Sequence, residues 1–203
     1  VSPTFTAARS RPRRVDVEGI GVAEGRLDTL ADRGVEVSSE FLAARGFTGG
    51  RGQTVTLPGP DGRTVVLLGL GGGATPDSCR AAGAAFARAA SRHSTAALDV
   101  LHGIDDAADR AACARALVEG VALASYRYRA YRARPAPADL SKVTVVGAGG
   151  SALADAVARG RAVADAVCWA RDLVNEPGGS LTPAALARAA RSMARRDRPL
   201  VHD

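Results

Sequence analysis

"TVVLLGLGGGATPDSCRAAGAAFARAA", Thr64–Ala90, is the stretch on which the fold turns. Its first seven residues are apolar without alternation, the pattern of a strand buried on both faces rather than one solvated on its outer side. Gly71, Gly72 and Gly73 follow at once, then Thr75-Pro76-Asp77. A hydroxyl before Pro is a helix start, because the Thr side chain can cap the free N–H groups and Pro needs no partner at the first helical position. The Ala-rich run behind it predicts a small-residue helix. A strand, a glycine turn and a covering helix make one unit of an α/β layer structure.

The pattern extends outward in both directions. Immediately upstream, "QTVTLPGPDGRTVVLLGL" sets two β-branched runs around Pro58-Gly59-Pro60-Asp61-Gly62, which predicts a β-hairpin. Further back, "VDVEGIGVAEG" reads as a strand, "RLDTLADRG" as a short helix closed by Gly34, and "SSEFLAARGF" as a helix capped by Ser38 or Ser39. Downstream come a strand at "AALDVLH" and a long helix, "DDAADRAACARALVEGVALASYRYRAYR", packed through Ala112, Leu117, Val121 and Leu123. "ARPAPADL" then connects to a strand at "KVTVVGAGG", and a helix runs from about Ala152 to Val174. Residues 1–14, basic and broken by Pro3 and Pro12, read as a flexible or late-docking arm, with structure beginning near Val15. Strand and helix alternate, which predicts a mostly parallel or mixed sheet between helical layers over residues 15–150.

Composition agrees with a folded α/β chain. Of 203 residues, 46% are hydrophobic, 24% charged and only 4% aromatic, so the core must be built from Ala, Val and Leu in close helix–sheet contact. The net charge is +6, with arginines grouped at Arg9, Arg11, Arg13 and Arg14, at Arg127, Arg129, Arg132 and Arg134, and at Arg188, Arg191, Arg195, Arg196 and Arg198. Such groups could meet DNA phosphates, but no nucleic-acid motif accompanies them, although Tyr126, Tyr128 and Tyr131 interleave with the second, and a solvated basic face is the plainer reading. Cys79, Cys113 and Cys168 are too scattered for a disulfide framework or a CxxC metal site, and point to a reducing cytoplasm. No apolar run is long enough to span a bilayer.

Candidate chemistry is sparse. "GLGGGA" at 69–74 and "GAGGSA" at 147–152 both satisfy G-x-G-x-x-A after a strand, so Gly69 and Gly71, or Gly147 and Gly149, could cradle the phosphates of an ADP-ribose-type nucleotide at a helix N-terminus. The acidic residue expected after the next strand is poorly placed, since Asp99 falls inside its strand; tight strand-to-helix turns explain the glycines equally. His93, His102 and His202 sit in no H-E-x-x-H, no Ser sits in G-x-S-x-G, and Asp105, Asp106 and Asp109 suit the first turn of a helix. The sequence therefore offers no catalytic residue and no metal ligand set.

"RDLVNEPGGSLTP", residues 171–183, differs in kind. Asp172, Leu173 and Val174 end a helix, Asn175 can adopt a left-handed terminating conformation, Pro177 forbids continuation, and Thr182 with Pro183 opens a new helix. A bland loop would not need Arg171, Asp172 and Leu173 together with Asn175 and Pro177. The segment resembles the junction of the leucyl (cytosol) aminopeptidases, a two-metal peptidase family, in which R-D-L-x-N-x-P and L-T-P join an N-terminal domain to the catalytic one. "VAEG" at 22–25, "VVLLGLG" at 65–71, "RAAGAAFARA" at 80–89 and "EGVALASYRYRAYR" at 119–132 follow in the family's order. The resemblance runs from about residue 15 to 203.

That resemblance implies a macro-domain-like N-terminal fold, a linking helix over 151–175, and a truncated start of the catalytic domain over 176–203. It also implies a hexameric homo-oligomer, and an enzyme that releases N-terminal amino acids with two divalent metals, Mn or Zn. In the family the metal ligands, with the N-T-D-A-E-G-R signature, lie beyond this junction, so the chain is expected to hold no metal and to be inactive alone, needing a catalytic domain from the same or a companion chain. The alternative from a different class is a stand-alone module binding an ADP-ribose-type nucleotide or DNA.

Overall fold

The computed structural model describes residues 3–131 and 140–196. Six strands form one mixed sheet among these residues: β1 (Thr4–Ala8), β2 (Val17–Val22), β3 (Thr54–Pro58), β4 (Thr64–Gly69), β5 (Thr95–Asp99) and β6 (Lys142–Val146). Their order is β1-β6-β5-β2-β4-β3, and every pairing is parallel except the β3–β4 hairpin. The helices are α1 (Ser39–Ala44), α2 (Pro76–Ala89), α3 (Ala107–Ser125), α4 (Ser151–Asn175) and α5 (Pro183–Arg196), with a 3-10 helix at Leu27–Arg33. By contact density the chain divides into two compact units, Val1–Asp165 and Ala166–Asp203.

In the first unit, strand alternation sorts the apolar residues onto two faces. Val66, Leu68, Ala96, Leu98, Val143 and Val145 meet Cys79, Phe86, Leu117 and Val121 of α2 and α3, and Leu153 and Val157 of α4. On the opposite face Ile20, Val22, Val55, Leu57, Val65 and Leu67 pack with Leu30, Leu42 and Phe47 around the 3-10 helix and α1. The apolar run Thr64–Leu70 is thus buried on both sides, as read, in a strand that lies one in from the edge of the sheet.

Several predicted local signals appear as hydrogen bonds. Thr75 caps α2 in a reciprocal box, its hydroxyl accepting from the Ser78 N–H while Ser78 Oγ accepts from the Thr75 N–H at 2.8 Å. Ser38, not Ser39, caps α1, and Gly34 closes the 3-10 helix with φ of 70°.

Three expectations are corrected. Residues 1–14 are not an arm throughout: Thr4–Ala8 form β1, paired with β6, with Phe5 and Ala7 half-buried against the larger core. The polar Thr residues suit an edge strand, whose outer side faces water, and hide it from composition. The long helix stops at Ser125 instead of running through Arg132, with Tyr126 already extended at ψ 132°; its last fully buried residue is Ala122, and Leu123–Ser125 are only half-buried. Ala112 is exposed, and Ala114, Leu117, Val118 and Val121 carry the packing instead. Arg132, Arg134, Arg198 and His202, and the side chains of Arg195 and Arg196, lie outside the described residues.

Candidate functional site

In a sheet of this kind a ligand crevice opens at the C-terminal strand ends where neighbouring connections leave on opposite faces. Here that point lies between β2, followed by the 3-10 helix, and β5, followed by α3. A side chain forms part of its wall, beside an open cavity of about 650 Å³. Arg33, from the last turn of the 3-10 helix, donates to the Gly21 carbonyl at 2.7 Å, reaches the Asp99 carboxylate at 2.7 Å, and also bonds the Asp99 carbonyl. Arg33 therefore staples the ends of both strands, and the one acidic residue that sequence reasoning considered for a ribose is committed to it. The cavity lining carries Glu24, Asp32, Asp105, Asp106 and Asp109 against Arg26 and Arg33, an excess of acidic groups that disfavours phosphate.

The two glycine loops are also used internally. Gly71 (φ 65°) donates to the Gly49 carbonyl at 2.9 Å and accepts from the Glu24 N–H at 2.8 Å. A Cβ on Gly69 would stand 1.9 Å from the Gly50 carbonyl oxygen, so glycine there admits the 49–52 loop against the strand end. In the second loop Gly147 donates to Ala8 at the end of β1, and Gly149 (φ 136°) turns the chain into α4. Asp106 caps α3, accepting from the Ala108 and Asp109 N–H groups, both at 2.8 Å.

No group of three or more His, Cys, Asp or Glu side chains able to hold a metal occurs among the described residues, so those present do not fit a two-metal centre. Cys79 and Cys113 are buried neighbours on α2 and α3; desolvation, then each other's proximity, pushes the Cys79 thiol far above its ordinary range, which removes it as a nucleophile or ligand. No described helix is long and apolar enough to cross a membrane.

In the second unit the 171–183 segment forms a compact corner. Asn175 ends α4 without the left-handed conformation expected of it; its side-chain amide donates to the Arg171 carbonyl at 2.8 Å, satisfying one open acceptor of the last turn. The Ser180 and Leu181 N–H groups both return to the Pro177 carbonyl, and Thr182 Oγ1 accepts from Ala185 at the start of α5. Asp172, Asn175, Pro177, Thr182 and Pro183 are exposed, while Arg171 and Leu173 are half-buried. The corner is built from turn and cap chemistry and gathers no reactive group.

What sequence reasoning missed is the contact between α2 and α3. Glu119, buried on α3, receives Arg80 of α2 at 3.0 Å and Arg115 at 2.9 Å, and Gly83 and Gly120 let the two backbones meet. Arg80 and Gly83 lie in "RAAGAAFARA", and Glu119 and Gly120 in "EGVALASYRYRAYR"; a Gly and an opposite charge on each of two helices was the available signal.

The sequence model for the cytosol aminopeptidase family, N-terminal domain, matches residues 21–135. The chain belongs to that family. Among cytosol aminopeptidase relatives, a probable cytosol aminopeptidase of Acidithiobacillus ferrooxidans is 36% identical over 197 residues, covering 87% of this chain and 39% of that protein. One from Mycobacterium marinum is 43% identical over 134 residues, covering 63% of this chain and 25% of that protein. Of solved structures, a tomato leucine aminopeptidase mutant superposes with a TM-score of 0.82 at 25% identity, covering 97% of this chain and 43% of that one. The bottromycin maturation enzyme BotP in complex with Mn gives 0.71 at 38% identity, covering 90% and 37%. The chain thus spans less than half the length of these aminopeptidase relatives, and corresponds to their N-terminal part. A stand-alone nucleotide or DNA module finds no support among them.

Proposed function

We propose that this chain is the assembly and regulatory portion of a leucyl aminopeptidase whose intact form releases N-terminal amino acids from peptides. The observation that carries the reading is the family match over 21–135 in a chain spanning only 25–43% of its relatives. The commitment of Asp99 to Arg33 and of the glycine loops to backbone contacts agrees with a supporting rather than a catalytic role. In this reading residues 151–175 link the sheet domain to a catalytic part that begins within 176–203. Two divalent metals, Mn or Zn, belong to that catalytic part, and the enzyme works in the cytoplasm as a homo-oligomer, a hexamer by family resemblance.

The test compares the 203-residue chain with the intact gene product in hydrolysis of leucyl-p-nitroanilide, each supplied with Mn2+ or Zn2+. The intact protein is expected to hydrolyse it and the chain alone to give only the uncatalysed rate. Turnover by the chain alone, or none by the intact protein, would overturn the proposal.

A further inference from the structure

A second open cavity, of about 640 Å³, lies at the N-terminal ends of β2, β4 and β5, the end of the sheet opposite the acidic crevice. Three separate segments line it: Arg11, Arg13, Arg14 and Asp16 from the connection before β2, Asp61 and Arg63 from the β3–β4 turn, and Thr95 at the start of β5. The connection has no helix or strand of its own, yet it is pinned. The Asp16 N–H donates to the Thr95 carbonyl at 3.1 Å, the Asp16 carbonyl accepts from the Thr64 N–H at 2.9 Å, and Arg11 reaches the buried Glu18 at 3.4 Å.

Charge is unbalanced here in the sense opposite to the crevice. The four arginines have three carboxylates near them, and each of these has its own partners. Glu18 pairs with Arg63 at 2.9 Å as well as with Arg11. Asp16 is turned to the Ser94 and Thr95 N–H groups, and Asp61, 91% exposed, lies 3.8 Å from Arg63. Arg13 and Arg14 are exposed and enter no ion pair among the described residues. Like charges gathered on a pinned segment repel one another, and a compact anion relieves that repulsion with little further ordering. The guanidinium fork holds two phosphate oxygens at once, while none of the described lining residues is aromatic, which leaves nothing to stack a nucleotide base.

We propose that this cavity binds a small polyphosphate anion of pyrophosphate type, held by Arg13 and Arg14 above the Arg11–Glu18–Arg63 ion-pair group. The site is independent of the peptide hydrolysis proposed above. The test titrates pyrophosphate calorimetrically into the intact gene product, after divalent metal has been dialysed away so that chelation contributes no heat. Arg13→Gln/Arg14→Gln is measured beside Arg88→Gln/Arg159→Gln, which removes the same charge from exposed positions on α2 and α4. Saturable binding is expected in the unsubstituted protein, weaker by about tenfold or more in Arg13→Gln/Arg14→Gln and changed by less than about twofold in the control. Arg13→Lys/Arg14→Lys, which keeps the charge without the fork, should fall between the two.

No binding to the unsubstituted protein at millimolar pyrophosphate would overturn the site. Equal weakening in both glutamine pairs would overturn it in favour of a general surface field. Citrate bound as tightly as pyrophosphate, or pyrophosphate displaced by duplex DNA at lower phosphate concentration, would overturn the assignment to a small polyphosphate.

Discussion

Arg33 holds two strand ends with one guanidinium, and its planar fork is what lets it serve a carbonyl on β2 and both a carbonyl and a carboxylate on β5. Arg33→Ala leaves those acceptors without their donor in a largely enclosed site, and is expected to destabilise the fold by about 3 kcal/mol in urea unfolding. Arg33→Lys should recover only part of this, since an ammonium cannot reproduce the fork. Asp16 carries the pH dependence at this scale. Its carboxylate accepts the Thr95 N–H at 2.7 Å and the Ser94 N–H at 3.0 Å, and the Thr95 bond is the leading cause of a pKa held below the ordinary 3.8. A carboxylate depressed in the folded state contributes stability above its unfolded pKa and loses it as pH falls through the folded value. Unfolding midpoints should therefore drop as pH goes below about 4, and Asp16→Asn should flatten that part of the profile. Cys79 and Cys113, buried and with raised thiol pKa values, should resist iodoacetamide at pH 8 until the protein is unfolded.

Between α2 and α3, two glycines set how closely the backbones approach. A Cβ on Gly120 would come within 2.1 Å of the Arg80 carbonyl oxygen, and one on Gly83 within 2.4 Å of the Leu117 carbonyl oxygen, so either must push the helices apart. Gly120→Ala gains about 1 kcal/mol of helix propensity but should still lower stability, by roughly 2 kcal/mol net, because displaced backbone cannot relax as a side-chain tip does. Chemical denaturation of the single variant checks the sign. Elements of this kind mark the boundary of what the sequence discloses. The β3–β4 hairpin, the Thr75 and Ser38 caps and the buried run of β4 were legible because their causes are local: turn residues, hydroxyls before helices, unbroken apolarity. Strand β1 was not, since Thr4 and Thr6 are polar and only pairing with Lys142–Val146 makes them a strand. The end of α3 at Ser125 and the side-chain cap of Asn175 were equally hidden, each depending on what does or does not pack nearby. At the candidate site, the corner at 171–183 was readable from Pro and Thr, whereas the Arg33–Asp99 staple joins residues 66 apart in sequence and carries no local mark.

At the scale of the sheet domain, the connection from β1 to β2 is the irregular part. It returns from one end of the sheet to the other through residues 9–16 without a helix, past the intervening β6 and β5, and Arg11 within it pairs with the buried Glu18 at 3.4 Å. Removing residues 1–8 should bare the β6 edge and cost roughly 2 kcal/mol from the packing of Phe5 alone, read as a lower thermal midpoint with more aggregation on melting. The same strand sets a timetable. Thr6 bonds Thr144, a residue 138 positions later, while β3 and β4 close across a short turn. During synthesis β1 must wait for β6, the last of the six described strands, because loop closure over such a span yields nothing until β6 exists. The sheet therefore grows outward from the hairpin, and the earliest of its described strands to be made is the last to be covered.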